Sequence, residues 1–493
     1  MGREKQIIGE RIRKRDELRA EGIEPYGYKF DKKQNTEECS NSKVGSKVKT
    51  AGRIIIKRDL GKIAFANLRD ISGDVQIVLQ QGETSEKVRK FFKKYIDAGD
   101  IIGVEGKIIK TKTGQISILI KSVELLSKAI KPLPEKWHGL QDDEEKYRKR
   151  YLDLAINPEV KNIFLIRSKL MEAMREFMKI NNFIEIETPL LQSIYGGAAA
   201  TPFKTHCNAF DSDVYLSIAP ELYLKKALVG GFDRVYEITK KFRNEGVDRS
   251  HNPEHMTIEW YQGYADYNEG MRMVKEFLKY IVKQVFGKYT FEYQGNKIDI
   301  SKWETLTLAE AIKKYLKEDV SKIKTDSDAK KMAKKHGIEE DGITKGNIAD
   351  ELMKTFRDKL IQPTFLTDYP IELAPLAKPK RGGPTKAEIF QPFIGGMELA
   401  RAYSELNDPA LQAEHFKEQE EEREKGNKEA MQTDNDFVNA LEHGMPPAYG
   451  VGFGIERIMM LLTNQNSIRD VLTFPFMKPE INKESISRKK GKK

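Results

Sequence analysis

The stretch Phe242–Tyr261, FRNEGVDRSHNPEHMTIEWY, brings residues able to do chemistry close together. Arg243 and Glu245 precede a loop of polar and turn-forming residues (Gly246, Asp248, Ser250, His251, Asn252, Pro253), and Met256–Tyr261 then returns to residues that suit a strand. The pattern predicts a hairpin with a wide loop, holding a cation, a carboxylate and two imidazoles (His251, His255) near one mouth. Such a set suits a phosphate-bearing ligand. The same twenty residues would also make a charged surface hairpin, and their spacing alone does not choose. A second candidate lies in GVGFGIERIMMLL, Gly450–Leu462. There a glycine-rich strand runs into a helix whose start carries Arg457, so a phosphate would meet both a helix N-terminus and a guanidinium. It is not a Walker loop, because GxxxxGK[ST] occurs nowhere in the chain. The small-residue loop GGAAA (Gly196–Ala200) allows close approach of backbone to a ligand, and IAPELYLKKAL carries Glu221 directly after a proline.

The elements that must position these residues fit a chain of two or three domains, since 493 residues exceed the usual ~100–200 of one domain. Hydrophobic residues at 39%, charged residues at 32% and a formal charge of +10 predict a soluble protein with a polyanion among its partners. No run approaches the ~20 apolar residues of a membrane span, and the N-terminus MGREKQIIGERIRKRD lacks the apolar core of a signal peptide. Cys39 and Cys207 are the two cysteines, far apart and without a CxxC partner, which supports neither a disulfide framework nor a zinc site. No membrane association and a cytoplasmic location are the expectation.

Residues 1–47 read as a basic helical extension, with a helix over 1–22 stopped by Gly22 and Pro25. From Val48 the period changes to three short β-rich runs, a helical segment (Ser85–Ala98) and two more β-rich runs. That order predicts a five-stranded OB barrel over 48–130, with single-stranded nucleic acid on the face of its second and third strands. Phe65 in the second strand offers a ring for stacking, and Gln76 in the third an amide for a base edge; a buried ring and an exposed amide are equally compatible with the pattern. Residues 131–158 read as a hinge. A further domain over 159–479 opens on the amphipathic stripe Val160, Phe164, Leu170, Met171, Met174, Phe177 and Met178, which leads to the β-rich IEIETPLL. Within it, about 304–362 reads as a helical, lysine-rich, solvated insertion, after which PTFLTDYP and IELAPLAK return to strand character. IFQPFIGGMELARAYSELNDP adds two strands turning at Gly395–Gly396, and 480–493 is a basic tail. The fold class expected is α+β.

Arg243 and Glu245 in a hairpin, Arg457 at a glycine-rich strand-to-helix junction, and a long helix leading to a strand that ends at Pro189 together resemble the three motifs of class II aminoacyl-tRNA synthetases. In that family an antiparallel sheet with flanking helices forms the catalytic domain. The preceding OB barrel resembles the subgroup charging lysine, aspartate and asparagine. HGLQDDEEKYRKRYLDL, APELYLKKALVGGFDRVYEI, FRNEG, HNPE, SELNDP and ALEHGMPPAYGVGFGIER are similar to the lysyl-tRNA synthetases, over about Gly22–Pro479. The resemblance implies ATP-dependent activation of L-lysine to lysyl-adenylate and transfer to the 3′ end of tRNA(Lys), with ATP as a substrate, Mg2+ as a cofactor and a homodimer formed through Glu159–Pro189. It implies that Arg243 holds the α-phosphate and substrate carboxylate and Arg457 the γ-phosphate, that Glu245 hydrogen-bonds adenine, and that His251 lies beside the phosphates. It assigns Glu398 to magnesium, Glu221 to the substrate α-amino group, and Glu259, Tyr261 and Glu405 to the ammonium of the side chain. A buried ammonium requires carboxylates, since an unpaired buried charge is costly; an aspartate enzyme would need a cation there.

Three positions depart from the family pattern. The adenine-stacking phenylalanine is His255 here, a second magnesium-binding glutamate is Gln391, and an asparagine ahead of the SEL triplet is Arg401, a cation able to contact the substrate carboxylate. On the barrel, the residues reading the anticodon's central U match Phe65, Gln76 and Glu124, with Arg53 and Arg69 nearby. The competing readings are an aspartyl- or asparaginyl-type sibling, a protein-lysylating paralogue, which would lack the barrel, and a non-catalytic RNA-binding paralogue, which would be expected to have lost Arg243 or Arg457.

Overall fold

In the computed structural model, residues 2–134, 142–427 and 429–480 are described, and they form two compact units, 1–162 and 163–493. Residues 135–141 of the expected hinge, and 481–493 of the expected basic tail, lie outside the described residues. Among the described residues no helix is long and apolar enough to cross a membrane.

The first unit contains the five strands β1 (Lys47–Asp59), β2 (Ile63–Arg69), β3 (Asp74–Gln80), β4 (Ile101–Lys110) and β5 (Ile116–Ser127), closed into a barrel in the order β1-β2-β3-β5-β4. Helix Glu86–Tyr95 links β3 to β4, giving the predicted OB connectivity. Alternation along the strands sends Ile54, Leu68, Val75, Ile77, Ile102, Val104, Ile118 and Ile120 inward, and each is essentially inaccessible to solvent. Helix Gly2–Ala20 precedes the barrel and is tied to it by Arg11, which donates to the carbonyls of Ala98, Ala129 and Lys131.

The second unit is built on one large mixed sheet. Its strands are β6 (Ile184–Glu185), β7 (Arg234–Phe242), β8 (Glu254–Gly263), β9 (Glu304–Thr307), β10 (Thr364–Thr367), β11 (Ile389–Ile394), β12 (Met397–Glu398), β13 (Ala400–Ser404) and β14 (Ala448–Gly454). They run in the order β9-β10-β11-β13-β14-β8-β7-β6, with β12 paired to β11. Pairing is antiparallel from β10 through to β7 and parallel at the two edges. One face is packed by helices: Met273, Val274, Phe277, Leu278 and Ile281 of helix Tyr267–Phe286 meet Trp260, Val451, Phe453 and Ala402 in the main core. The other face, left open over β8, β14 and β13, is where the polar residues gather.

Three expectations are corrected. IEIETPLL supplies only the two-residue pairings Ile184–Glu185 and, in a small separate sheet, Leu191–Gln192; Pro189 between them has no N–H to donate to a ladder. IELAPLAK is not a strand but a 3-10 turn over Ile371–Leu373. The stretch 304–362 is not a solvated appendage: Leu308, Ala311 and Ile312 of one helix, Ala329 and Ala333 of the next, and Leu352, Met353 and Phe356 are buried against Leu366, Ile389 and Phe393. The i, i+3, i+4 spacing was there to read, but dense lysines on the outer faces of these helices masked it.

Candidate active site

The predicted hairpin forms. β7 and β8 pair from Arg234↔Gln262 to Phe242↔Glu254, and the loop between them is organised by Asp248, whose Oδ1 accepts from the backbone N–H groups of Ser250 and His251. The His251 ring is held on the same carboxylate, Nδ1 lying 2.9 Å from Oδ2. Strand alternation then decides the site. In β8, Ile258 and Trp260 go to the core, so His255, Thr257, Glu259 and Tyr261 share the opposite face.

The next strand, β14, lies between β8 and β13 and is glycine at every second residue from Gly450 to Gly454. Register places Gly450 between Tyr261 and Tyr403, and Gly452 between Glu259 and Arg401. A Cβ on Gly450 would sit 2.2 Å from both Glu405 Oε1 and a Tyr261 ring carbon, and one on Gly452 would sit 3.2 Å from Glu259 Cγ. These glycines therefore make the floor of a cavity of about 360 Å3. Their role is space for neighbouring side chains rather than a phosphate-wrapping loop.

The cavity walls gather Glu221, Arg243, Glu245, His251, His255, Glu259, Tyr261, Glu398, Arg401 and Arg457. It carries charges of both signs. The guanidinium groups of Arg243 and Arg457 are near enough to feel each other's charge. Arg457, in the first turn of helix Ile455–Leu462, donates to the Glu398 carbonyl at 2.8 Å. Arg243 is half-buried; its Nε has no hydrogen-bond partner and its Nη2 reaches the Ile218 carbonyl only at 3.5 Å. Burial pushes its pKa down, against the pull of Glu259 and Glu245. The Arg243 guanidinium thus retains donors to offer an anion. Glu245, exposed at the rim, accepts from the Thr201 N–H. Burial first, then the positive fields of Arg243 and Arg457, push His255 down to about 3, so its ring is neutral and available as a flat stacking surface.

Three carboxylates converge, Glu221 and Glu259 on the cavity wall and Glu405 fully buried beside them. Glu221 begins helix Glu221–Val229, Glu259 lies in β8, and Glu405 follows β13, anchored by its N–H on the Ala448 carbonyl; they are 4%, 7% and 0% exposed. Tyr403 donates to Glu221 at 2.6 Å, and Tyr261 points its hydroxyl at Glu259, 3.4 Å away. Burial, then Glu221, push Glu259 up to about 7, and burial likewise pushes Glu405 up. Lys225, one helical turn after Glu221 and fully buried, places its ammonium on Glu221 at 2.7 Å and on Glu405. Lys225 and Tyr403 escaped the sequence reading, as did the role of Gly450 and Gly452 as a floor. Alternating Gly450 and Gly452 beside alternating His255, Thr257, Glu259 and Tyr261 was the available signal.

Gln391 is corrected: it does not line the cavity. It is buried in β11, its side-chain oxygen accepting from the Tyr369 hydroxyl. Glu398 does line it, half-buried and with no hydrogen bond or ion pair on its carboxylate. Among the described residues no group of three or more His, Cys, Asp or Glu could hold a metal by itself. A lone free carboxylate fits Mg2+, which commonly binds through one or two carboxylates plus substrate phosphates.

On the barrel, Phe65 and Gln76 share a surface pocket with Arg58, Asn67, Lys110 and Lys112. The other three candidates do not join them. Arg69 is buried, forking onto Asp74 and donating to the Ile156 carbonyl. Arg53 donates to the Gly99 carbonyl at 2.7 Å, and Glu124 opens onto a different surface beside Gly27, Tyr28 and Lys29. Both arginines stabilise the barrel with donors that a nucleic acid would otherwise use.

Residues 142–478 match the family described as tRNA synthetases class II (D, K and N), and residues 48–126 match the OB-fold nucleic acid binding domain. A lysine–tRNA ligase of Carboxydothermus hydrogenoformans is 46% identical over 483 residues, 96% of this chain and 98% of that protein. One from Thermoanaerobacter pseudethanolicus is 47% identical, covering 94% of each chain, and one from Thermosipho africanus is 44% identical, covering 96% of each.

Proposed function

The chain belongs to the class II tRNA synthetases of the D, K and N group and, within it, to the lysine–tRNA ligases; on that premise we propose how the cavity joins lysine to tRNA at the expense of ATP. The observation that carries the assignment of roles is the cavity's lining, with free donors on the Arg243 guanidinium and a cluster of buried carboxylates, Glu221 and Glu259 on the wall and Glu405 beside them. Lysine has the matching form: a carboxylate at one end and an ammonium at the tip of the side chain.

The first step is attack of the lysine carboxylate on the α-phosphorus of ATP, forming the acyl–phosphate bond and releasing pyrophosphate. No protein nucleophile is needed. The obstacle is bringing two anions together, and fixed cations lower it by positioning and charge stabilisation. Arg243 holds the α-phosphate and the lysine carboxylate, and Arg457 holds the γ-phosphate. Glu245 accepts from the adenine amino group, and the neutral His255 ring stacks on the base. His251, restrained by Asp248, donates to the phosphates. Glu398 would hold Mg2+, which supplies positive charge to the phosphate oxygens. Glu221 takes the α-amino group, Glu259, Tyr261 and Glu405 take the side-chain ammonium, and Arg401 reaches the carboxylate end. In the second step a hydroxyl at the 3′ end of tRNA(Lys) attacks the activated carbonyl and AMP leaves.

The barrel pocket of Phe65 and Gln76 stacks on and reads an anticodon base. The enzyme acts as a homodimer in the cytoplasm, where ATP and tRNA meet; the exposed apolar residues Ile180, Ile184, Leu190 and Leu191 support a covered surface there.

ATP–pyrophosphate exchange with a panel of amino acids tests the reading. Exchange with lysine at least a hundredfold above that with aspartate or asparagine is expected. Exchange driven by aspartate or asparagine, or by no amino acid, overturns it. Gln391 adds a narrower test: buried under Tyr369 and away from the cavity wall, it takes no part in holding Mg2+, so Gln391→Glu should leave half-saturation by Mg2+ unchanged, and a lower half-saturation overturns this placement.

A further inference from the structure

We propose that Lys225 is a positioning residue of this pocket, an internal ammonium that ties Glu221 to Glu405 and holds both carboxylates aimed so that they stay usable by an incoming diamino acid. The inference rests on the lysine-binding reading of the cavity.

The geometry is unusual for a merely structural ion pair. Lys225 is fully buried, and it bridges acids from two separate elements: Glu221 on its own helix and Glu405 after β13. Its ammonium also lies 5.5 Å from the centre of the Tyr403 ring and 5.9 Å from that of Phe437. The carboxylates it holds still have capacity to spare. Glu405 Oε1 is buried with no hydrogen-bond donor, at the floor beside Gly450. Glu221 lines the cavity while its Oε1 accepts from both Lys225 and Tyr403.

Three acids facing one another in a dry pocket would otherwise share protons, because like charges and burial both favour the neutral form. Lys225 offsets one of the three charges from inside the protein. The other groups facing the cluster do not replace it. Tyr261 and Tyr403 are neutral phenols held well above their ordinary pKa by burial and the adjacent carboxylates. Lys241 is engaged by Ser217 at 3.0 Å and stands 3.9 Å from Glu237, and Arg243 acts on Glu259 rather than on the pair that Lys225 holds. With Lys225 in place, the substrate's two ammonium groups meet carboxylates that are already oriented, and the Lys225 charge opposes the burial that pushes the Glu405 carboxyl well above its usual range.

Lys225→Gln keeps donors and removes the charge; Lys225→Met removes both. In lysine-dependent pyrophosphate exchange, each should move the acid limb of kcat/KM for lysine upward by a pH unit or more. That corresponds to about a tenfold rise in KM for lysine near pH 6.5, with KM for ATP unchanged within twofold. An unmoved limb in Lys225→Gln, or lysine and ATP KM values rising together, overturns the proposal. Should both variants fail to fold, the wild-type protein decides by lysine-selective 15N NMR: the Lys225 ammonium should stay protonated from pH 6 to 9 and its signal should shift when L-lysine binds, whereas an ammonium that loses its proton in that range, or a signal unmoved by L-lysine, overturns the proposal. If wild-type protein shows no lysine-dependent exchange, the underlying functional reading fails instead.

Discussion

At the scale of single residues, two side chains have pH-dependent consequences that can be measured. His255 is held neutral down to about pH 3 by burial and by Arg243 and Arg457, while an unfolded histidine takes up its proton near pH 6.5. Its folded pKa is depressed, so the stability it permits is present above about pH 6.5 and is lost as pH falls toward 3. His255→Phe should therefore raise the melting temperature more at pH 5 than at pH 8, and lower KM for ATP by about two- to fivefold through the larger stacking area. Glu259 has the opposite sign. Its folded pKa, about 7, lies above its unfolded value, so its contribution is fully present below about pH 4.5 and is lost as pH rises through 7. Glu259→Gln is expected to stabilise the ligand-free protein more at pH 8 than at pH 5. It should also weaken lysine-dependent exchange by about a hundredfold or more, the scale of removing one partner of a buried charge pair.

At the scale of elements, strand alternation explains both what could be read from the sequence and what could not. The β7–β8 hairpin, the glycine-rich strand entering a helix, and the strand–helix–strand order of the barrel were all legible, because each is set by local period and turn chemistry. The cluster around Lys225 was not. It depends on bringing 221, 225, 259, 405 and 450 together across three strands and a helix, and IAPELYLKKAL by itself looks like an ordinary amphipathic segment. Arg69 misled for the same reason: its neighbour Asp74 lies across a tight β2–β3 turn and claims its guanidinium. On the barrel, Phe65 and Gln76 remain together on the exposed pocket. Phe65→Ala should reduce tRNA charging by about ten- to a hundredfold, the worth of one lost base stack, and leave tRNA-independent pyrophosphate exchange unchanged. Loss of both activities together would count against separate work by barrel and sheet.

At the scale of the molecule, two compact units with their own hydrophobic cores should respond separately to ligands. ATP with lysine is expected to raise the melting transition of the sheet unit by several degrees and leave that of the barrel where it was, which differential scanning calorimetry resolves. Association has a surface to test as well. Ile184 and Leu191 are about half exposed, at 50% and 59%, and an aspartate at Leu191 should give a monomer in sedimentation with exchange activity reduced. A Leu191→Asp protein that remains dimeric with full activity would place the subunit contact elsewhere.

The glycine floor sets a limit on how this binding site can be re-engineered. Pockets are usually deepened by trimming a side chain, and at Gly450 and Gly452 there is nothing left to trim. The backbone of β14 itself is the wall, locked on both sides by its ladders to β8 and β13. Accepting lysine analogues with longer or acylated tips must therefore come from shortening Tyr261 or Tyr403, whose rings stand on either side of that floor. Any residue larger than glycine at Gly450 can only make the specificity narrower.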